Sequence, residues 1–239
     1  MRIVLDAMGS DDHPVPDVAG AVLAARAFAD TTILLVGDEQ RLKLELDKHQ
    51  TAGLKIEIVH APDTVSMDDK PSWVVKGKPN SSMHIGMKLV KDKHADGFVT
   101  AGNTGAALSI AMLSTLHRIR GVKRPALTAV FRLGTNTIIL IDAGANADCK
   151  PEWLAQFAVM GHTYAQIVLN LPSPRVGILS NGEEEGKGTE MIRMATDIIR
   201  SVPLNFVGNV EPKQFLRGEV DVVVADGFVG NIMIKSMEA

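Results

Sequence analysis

The 239 residues predict an α/β protein: a mostly parallel, Rossmann-like sheet with helices on both faces and an antiparallel hairpin at one edge. Three observations lead there. Short aliphatic runs recur from end to end, stretches of helical period lie between them, and five of the runs end in glycine mixed with Asp, Asn, Ser or Thr. The runs are near-continuous in Val, Ile and Leu rather than alternating, which marks strands buried on both faces.

In chain order, strands are expected at 2–7, 31–37, 55–61, 96–102, 126–131, 137–144, 175–181, 205–210 and 220–227. Helices are expected at 17–29, 81–93, 105–117, 151–169 and 189–201, with Pro151 in a first turn, where its missing N–H is no loss. The runs 126–131 and 137–144, joined by "RLGTN", read as the hairpin. No repeat, low-complexity tract or Pro/Ser-rich linker interrupts the chain, so residues 1–239 read as one α/β domain. "GFVGNIMIKSMEA" opens a helix with no capping glycine after it, and the chain is expected to be truncated at its C-terminus.

Composition narrows the function classes. Hydrophobic residues make up 46% and charged residues 22%, and the net charge is −3, with no basic run interleaved with aromatics. A nucleic-acid partner is not expected. The only cysteine, Cys149, precludes an intramolecular disulfide framework and suits a reducing compartment. It reads as a packed side chain, since nothing near it in sequence would activate a thiolate. The seven histidines lack metal-ligand spacing, so neither a metal nor a cofactor is expected. No apolar stretch approaches a membrane span, and Asp6 falls where a signal peptide would still be apolar; the expected location is cytoplasmic.

Open parallel sheets bind ligands beyond the carboxyl ends of their strands. The glycine-bearing strand ends are "DAMGSDD" (6–12), "TAGNTGA" (100–106), "DAGANAD" (142–148), "SNGEEEGKG" (180–188) and "ADGFVGN" (225–231). Each alone is an ordinary turn; together they are expected on one rim of one sheet. "AGNTG" leads into a helix and offers backbone N–H groups, Asn103, Thr104 and Gly105, as an anion cradle. It has neither the lysine nor the spacing of a P-loop, and no G-x-G-x-x-G follows the first strand, so inorganic phosphate or a phosphate ester fits better than a nucleotide. "KGKPNSSM" (76–83) sets two lysines before Ser81 and Ser82, readable as a helix cap or as an anion contact.

Seven motifs in order, "DAMGSD", "SSM", "AGNTGA", "RPAL", "DAGAN", "GEEEGKG" and "DGFVGN", resemble the bacterial acyl-acyl-carrier-protein:phosphate acyltransferases of phospholipid synthesis, the PlsX family. The likeness runs from residue 1 to 239. It departs at Ser10, where the family pattern has a second glycine, at Asp12, where a His is common, and in length. The resemblance implies a fold similar to phosphate acetyltransferases and isocitrate-type dehydrogenases. It implies transfer of a fatty acyl group from acyl carrier protein to inorganic phosphate, giving acyl phosphate. A homodimer is implied too, and peripheral membrane contact through a segment missing here.

On that basis Lys187 and Asn231 are the expected catalytic residues: Lys187 for phosphate or the developing oxyanion, Asn231 for the thioester oxygen. Asn103, Thr104, Gly105, Ser82, Gly9 and Ser10 are the expected phosphate contacts. Asp6, Asp142, Asn146, Glu184, Gly186, Gly188 and Asp226 are expected to hold the loops, and glutamates 183–185 to pair with nearby cations. Two other classes remain open from sequence: a phosphate acetyl- or butyryltransferase using acyl-coenzyme A, and a carrier-protein-binding module without turnover.

Overall fold

The computed structural model describes residues 1–238. Its contacts group into two compact units, Met1–Arg118 and Ile119–Ala239.

The first unit is built on a four-stranded, all-parallel sheet of order β3-β2-β1-β4, from β1 (Arg2–Asp6), β2 (Thr32–Gly37), β3 (Ile56–His60) and β4 (Gly97–Val99). Its helices are α1 (Val15–Ala27), α2 (Glu39–Leu46), α3 (Pro71–Gly77), α4 (Ser82–Lys91) and α5 (Thr104–Ile110). β2 sends Ile33 and Leu35 to one core and Leu34 and Val36 to another, as a strand covered on both sides must. The single helix expected over 105–117 instead passes from α5 into a π-helical segment, Ala111–Thr115, where the Thr115 hydroxyl donates to the Ile110 carbonyl at 3.1 Å.

The second unit holds a five-stranded sheet of order β5-β6-β9-β7-β8, from β5 (Thr128–Leu133), β6 (Asn136–Ile141), β7 (Val176–Leu179), β8 (Phe206–Val210) and β9 (Val222–Val224). β5 pairs antiparallel with β6 at the edge, as the hairpin reading expects; Gly134 turns it with φ +63°. The remaining pairings are parallel. Helices α6 (Pro151–Val168), α7 (Glu190–Arg200), α8 (Pro212–Arg217) and α9 (Gly227–Glu238) complete the unit. β6 again serves two cores, Ile139 and Ile141 beneath α6 and Ile138 and Leu140 on the opposite side with Phe215 and Met233.

All nine expected strands form. They lie in two sheets rather than one, which corrects the expectation of five loops on a single rim. Two of the loops, 6–12 and 100–106, follow strands of the first sheet, and three follow strands of the second. The physical reason is that each half buries its own aliphatic clusters, and local alternation of strand and helix is the same whether one sheet or two results. Among the described residues no helix is long and apolar enough to cross a membrane.

Phe157 of α6 is fully buried in the core of the second unit. Phe157→Ala is expected to lower stability by about 3–5 kcal/mol through lost burial and the cavity left behind. Denaturant unfolding checks this, and an unchanged midpoint contradicts it.

Candidate active site

Three adjacent parallel strands of the second sheet, β6, β9 and β7, release their chains at the same edge. The loop after β6 is organised by one carboxylate. Asp142 is fully buried; its Oδ1 accepts from the backbone N–H groups of Leu127 (3.0 Å), Gly144 (3.1 Å) and Ala145 (2.9 Å). Its Oδ2 accepts from Asn146 N and Asn146 Nδ2, both at 2.8 Å. The same Nδ2 donates to the Pro125 carbonyl at 2.7 Å, so Asn146 also fastens the strand lead-in before β5.

The loop after β9 locks onto this one. Gly227 N donates to the Asn146 carbonyl at 2.7 Å, and a Cβ on Gly227 would strike the Asn146 backbone. A Cβ on Gly230 would collide with the Asp142 carbonyl oxygen, so α9 can pack here only with glycine at that position. Asp226 Oδ1 accepts from Phe228 N (3.0 Å) and Val229 N (2.9 Å), satisfying first-turn donors of α9. Asn231, one turn on, is exposed and lies against Gly144: a Cβ built there would come within 3.7–4.0 Å of its side chain.

The loop after β7 carries Lys187. Asn181 Oδ1 accepts from Gly188 N at 3.0 Å and closes the loop at its base. Asn209 Nδ2, from β8, bonds the Glu184 and Lys187 carbonyls at 3.2 and 3.3 Å. Gly186 and Gly188 adopt φ of +87° and +93°, a region that side chains disfavour, which accounts for glycines flanking the lysine. Two of the three glutamates pair outward, Glu183 with Lys213 at 2.7 Å and Glu185 with Arg200, whereas Glu184 has no ion pair among the described residues. Lys213 also meets Glu211 at 2.6 Å, and the hydrogen bonds it donates to the Glu183 and Glu211 carboxylates hold its ammonium above the usual lysine range. The exposed ammonium of Lys187 has no ion-pair partner among the described residues.

Two cavities flank this loop. One, of about 900 Å³, is bounded by polar groups of two strand ends, Ser180, Asn181, Gly188 and Asp226, and lined beyond them by Met191, Ile192, Leu216, Val229, Met233 and Met237. The other, of about 340 Å³, is polar and is lined by Lys187, Arg193, Arg200 and Asn209. Lys187 and Asn231 therefore share the sheet edge but do not line the same cavity. Cys149 is buried and donates to the Asn146 carbonyl (3.3 Å); burial pushes its thiol up to about 11, so it is a packed group and not a nucleophile.

The first unit uses a similar device. Asp6, buried at the end of β1, accepts from Met8 N (3.2 Å) and from the Thr100 hydroxyl (2.7 Å), tying β1 to β4. Burial pushes its carboxyl above the ordinary value, against those hydrogen bonds. Ser82 Oγ is buried near this carboxylate at a loose geometry that completes no hydrogen bond. A Cβ on Gly9 would come within 2.8–2.9 Å of Thr100, Asp6 and the Gly102 backbone.

Several expected phosphate contacts are committed elsewhere. Ser10 Oγ donates to Asp17 at 2.6 Å. Asn103 Oδ1 caps α5 by accepting from Ala106 N, and its Nδ2 bonds the Ser66, Met67 and Asp69 carbonyls. Thr104 and Gly105, in the first turn of α5, are exposed. Ser81, not Ser82, caps α4, accepting from His84 N, and Lys78 is held by Asp69 (2.5 Å) and the Thr64 carbonyl (2.7 Å).

The family described as fatty acid synthesis protein matches residues 1–239. The chain belongs to this family. Among curated relatives it is 48% identical over 237 residues to the phosphate acyltransferase of Herpetosiphon aurantiacus, covering 98% of this chain and 64% of that protein. It is 47% identical over 238 residues to that of Trichlorobacter lovleyi, covering 100% and 68%. The chain thus spans about two thirds of the length of these family members. Among solved structures, a phosphotransacetylase from Streptococcus pyogenes is similar with TM-score 0.72 and 19% identity, covering 100% of this chain and 81% of that one. That likeness shows the fold, and it agrees with the architecture expected from the motifs.

Asp142→Ala would strand N–H donors in a buried loop, and the expected cost is about 3 kcal/mol or more. Denaturant unfolding measures it, with Asp142→Asn falling between the two; wild-type stability in the alanine variant contradicts the arrangement described.

Proposed function

We propose that this chain carries the active site of a phosphate acyltransferase that moves a fatty acyl group from acyl carrier protein to inorganic phosphate. The observation that supports this reading most is Lys187: a cation in a glycine-flanked, clamped loop at a strand-end edge, without an ion pair among the described residues while Glu183 and Glu185 beside it pair outward. A cation kept free in acidic surroundings is available to an anionic ligand.

In this reading, an oxygen of hydrogen phosphate attacks the thioester carbonyl carbon, forming a C–O bond and a tetrahedral oxyanion. The C–S bond then breaks, the electron pair leaves with sulfur, and the phosphate proton ends on the carrier thiol. Phosphate is already a nucleophile, so the protein's work is to hold two reactants together and to stabilise the oxyanion. Orientation supplies about 7–11 kcal/mol in favourable intramolecular cases, and one positioned oxyanion donor about 3–4. Lys187 holds phosphate or the oxyanion, and Asn231 donates to the thioester oxygen. The large cavity with its methionine and aliphatic lining suits an acyl chain, and its size favours a fatty over an acetyl group. A homodimer, peripheral membrane contact and a cytoplasmic location belong to the same reading.

Lys187→Ala is expected to reduce phosphate-dependent thiol release from acyl carrier protein by about a hundredfold or more. Its thermal midpoint should stay near wild type, since the side chain makes no ion pair. Wild-type turnover in this variant would remove Lys187 from the mechanism.

A further inference from the structure

Asn181–Gly182 is the one place in the sequence where glycine follows asparagine. The pair lies in the loop between β7 and α7, with Asn181 exposed and beside the large cavity. Asn181 Oδ1 accepts from Gly188 N at 3.0 Å, but its Nδ2 donates to nothing among the described residues, and neither does Gly182 N. Every other asparagine is followed by a residue with a side chain. In four of them, Asn103, Asn146, Asn205 and Asn209, Nδ2 is also bound to backbone carbonyls. Asn80 precedes the small residue Ser81, yet Ser81 N is committed to the Lys78 carbonyl at 3.1 Å.

We infer that Asn181 is a site of spontaneous deamidation, with Gly182 N as the nucleophile and Asn181 Nδ2 as the leaving group. Gly182 N attacks Asn181 Cγ, a C–N bond forms, and the proton on that nitrogen passes to solvent. The Cγ–Nδ2 bond then breaks, its electron pair leaves with Nδ2, and Nδ2 takes a proton from solvent to depart as ammonia. One water opens the resulting succinimide ring. Cleavage at Cγ gives aspartate; cleavage at the main-chain carbonyl gives isoaspartate, whose backbone runs through the former side chain. Glycine puts no Cβ in the way of the attack, and neither reacting nitrogen has a hydrogen bond to give up. Turning the amide carbon toward Gly182 N breaks at most the bonds that Oδ1 accepts from Gly188 N and, at 3.5 Å, from Ser180 Oγ. The consequence falls on the Lys187 loop. Both products place a new negative charge at its base, beside glutamates 183–185, and isoaspartate also adds a methylene to the main chain. A charge there repels an anion approaching Lys187.

The test is mass mapping of the purified protein after incubation at neutral and at alkaline pH, with a synthetic peptide of residues 176–187 as the unfolded reference. Cleavage after Arg175 and Lys187 separates Asn181 from every other asparagine. The folded protein is expected to convert at Asn181 with a half-life within about tenfold of the free peptide's, since neither reacting nitrogen is held. Conversion should be faster at alkaline pH, where the attacking nitrogen loses its proton more readily, and the other asparagines should keep their mass. Enzymatic methylation specific for isoaspartate should label the aged protein and not the fresh one. Gly182→Ala, whose Cβ would meet only side-chain atoms of Glu184 and Lys187, should slow conversion by about tenfold or more. An unmodified Asn181 in the folded protein, while the free peptide converts, overturns the inference, and so does earlier conversion at Asn80. Conversion at Asn181 with phosphate-dependent thiol release unchanged upholds the modification and counts against Lys187 as the phosphate ligand.

Discussion

Five N–H groups converge on the buried carboxylate of Asp142, and the strand-end edge of the second sheet takes its shape from that convergence. A buried carboxylate is costly unless its oxygens are satisfied. Here the donors that satisfy it come from the loop after β6 and from the lead-in to β5, so one charge fixes two segments. α9 then packs onto the loop so closely that Gly227 and Gly230 admit no side chain. The Asn231 side chain lies against Gly144 through this packing and makes no side-chain hydrogen bond among the described residues. Hydrogen bonding to one carboxylate and close steric packing shape the base of this edge, while the Asn231 amide and the Lys187 ammonium stand exposed at its rim.

Charge placement follows one logic around the Lys187 loop. Three glutamates in a row beside a lysine would ordinarily neutralise it, yet two of them are drawn away by Lys213 and Arg200. Asn181 and Asn209 hold the loop backbone in the meantime. The outcome is an exposed cation on a loop whose backbone is held by hydrogen bonds. Asp6 in the first unit repeats the device at lower order, linking β1 to β4 through Thr100. Both units thus use an aspartate at the end of a strand to set the loop that follows.

Much of this is written locally in the chain. Buried strands need unbroken Val/Ile/Leu runs, and all nine were legible for that reason. The helices α2, α3 and α8 were not: they span eight, seven and six residues, too short for a periodic signal. Their caps did leave traces, in Asp38 accepting from Arg41 N and Gln214 accepting from Glu211 N. Division into two sheets was invisible because no linker composition marks it. Asn103 looked like a phosphate ligand and proves to be a cap and a staple to carbonyls more than thirty residues earlier. Residue type and loop position were readable in advance, whereas which polar atoms remain free was not, because that depends on partners distant in sequence.

The most direct test is to locate inorganic phosphate on the protein, by crystals grown with phosphate or by titration of backbone amide signals. The account predicts an anion at the edge formed by residues 142–146, 180–188 and 226–231, within hydrogen-bonding reach of Lys187 Nζ. Saturating phosphate that leaves this edge empty, or that binds only away from Lys187, would contradict it.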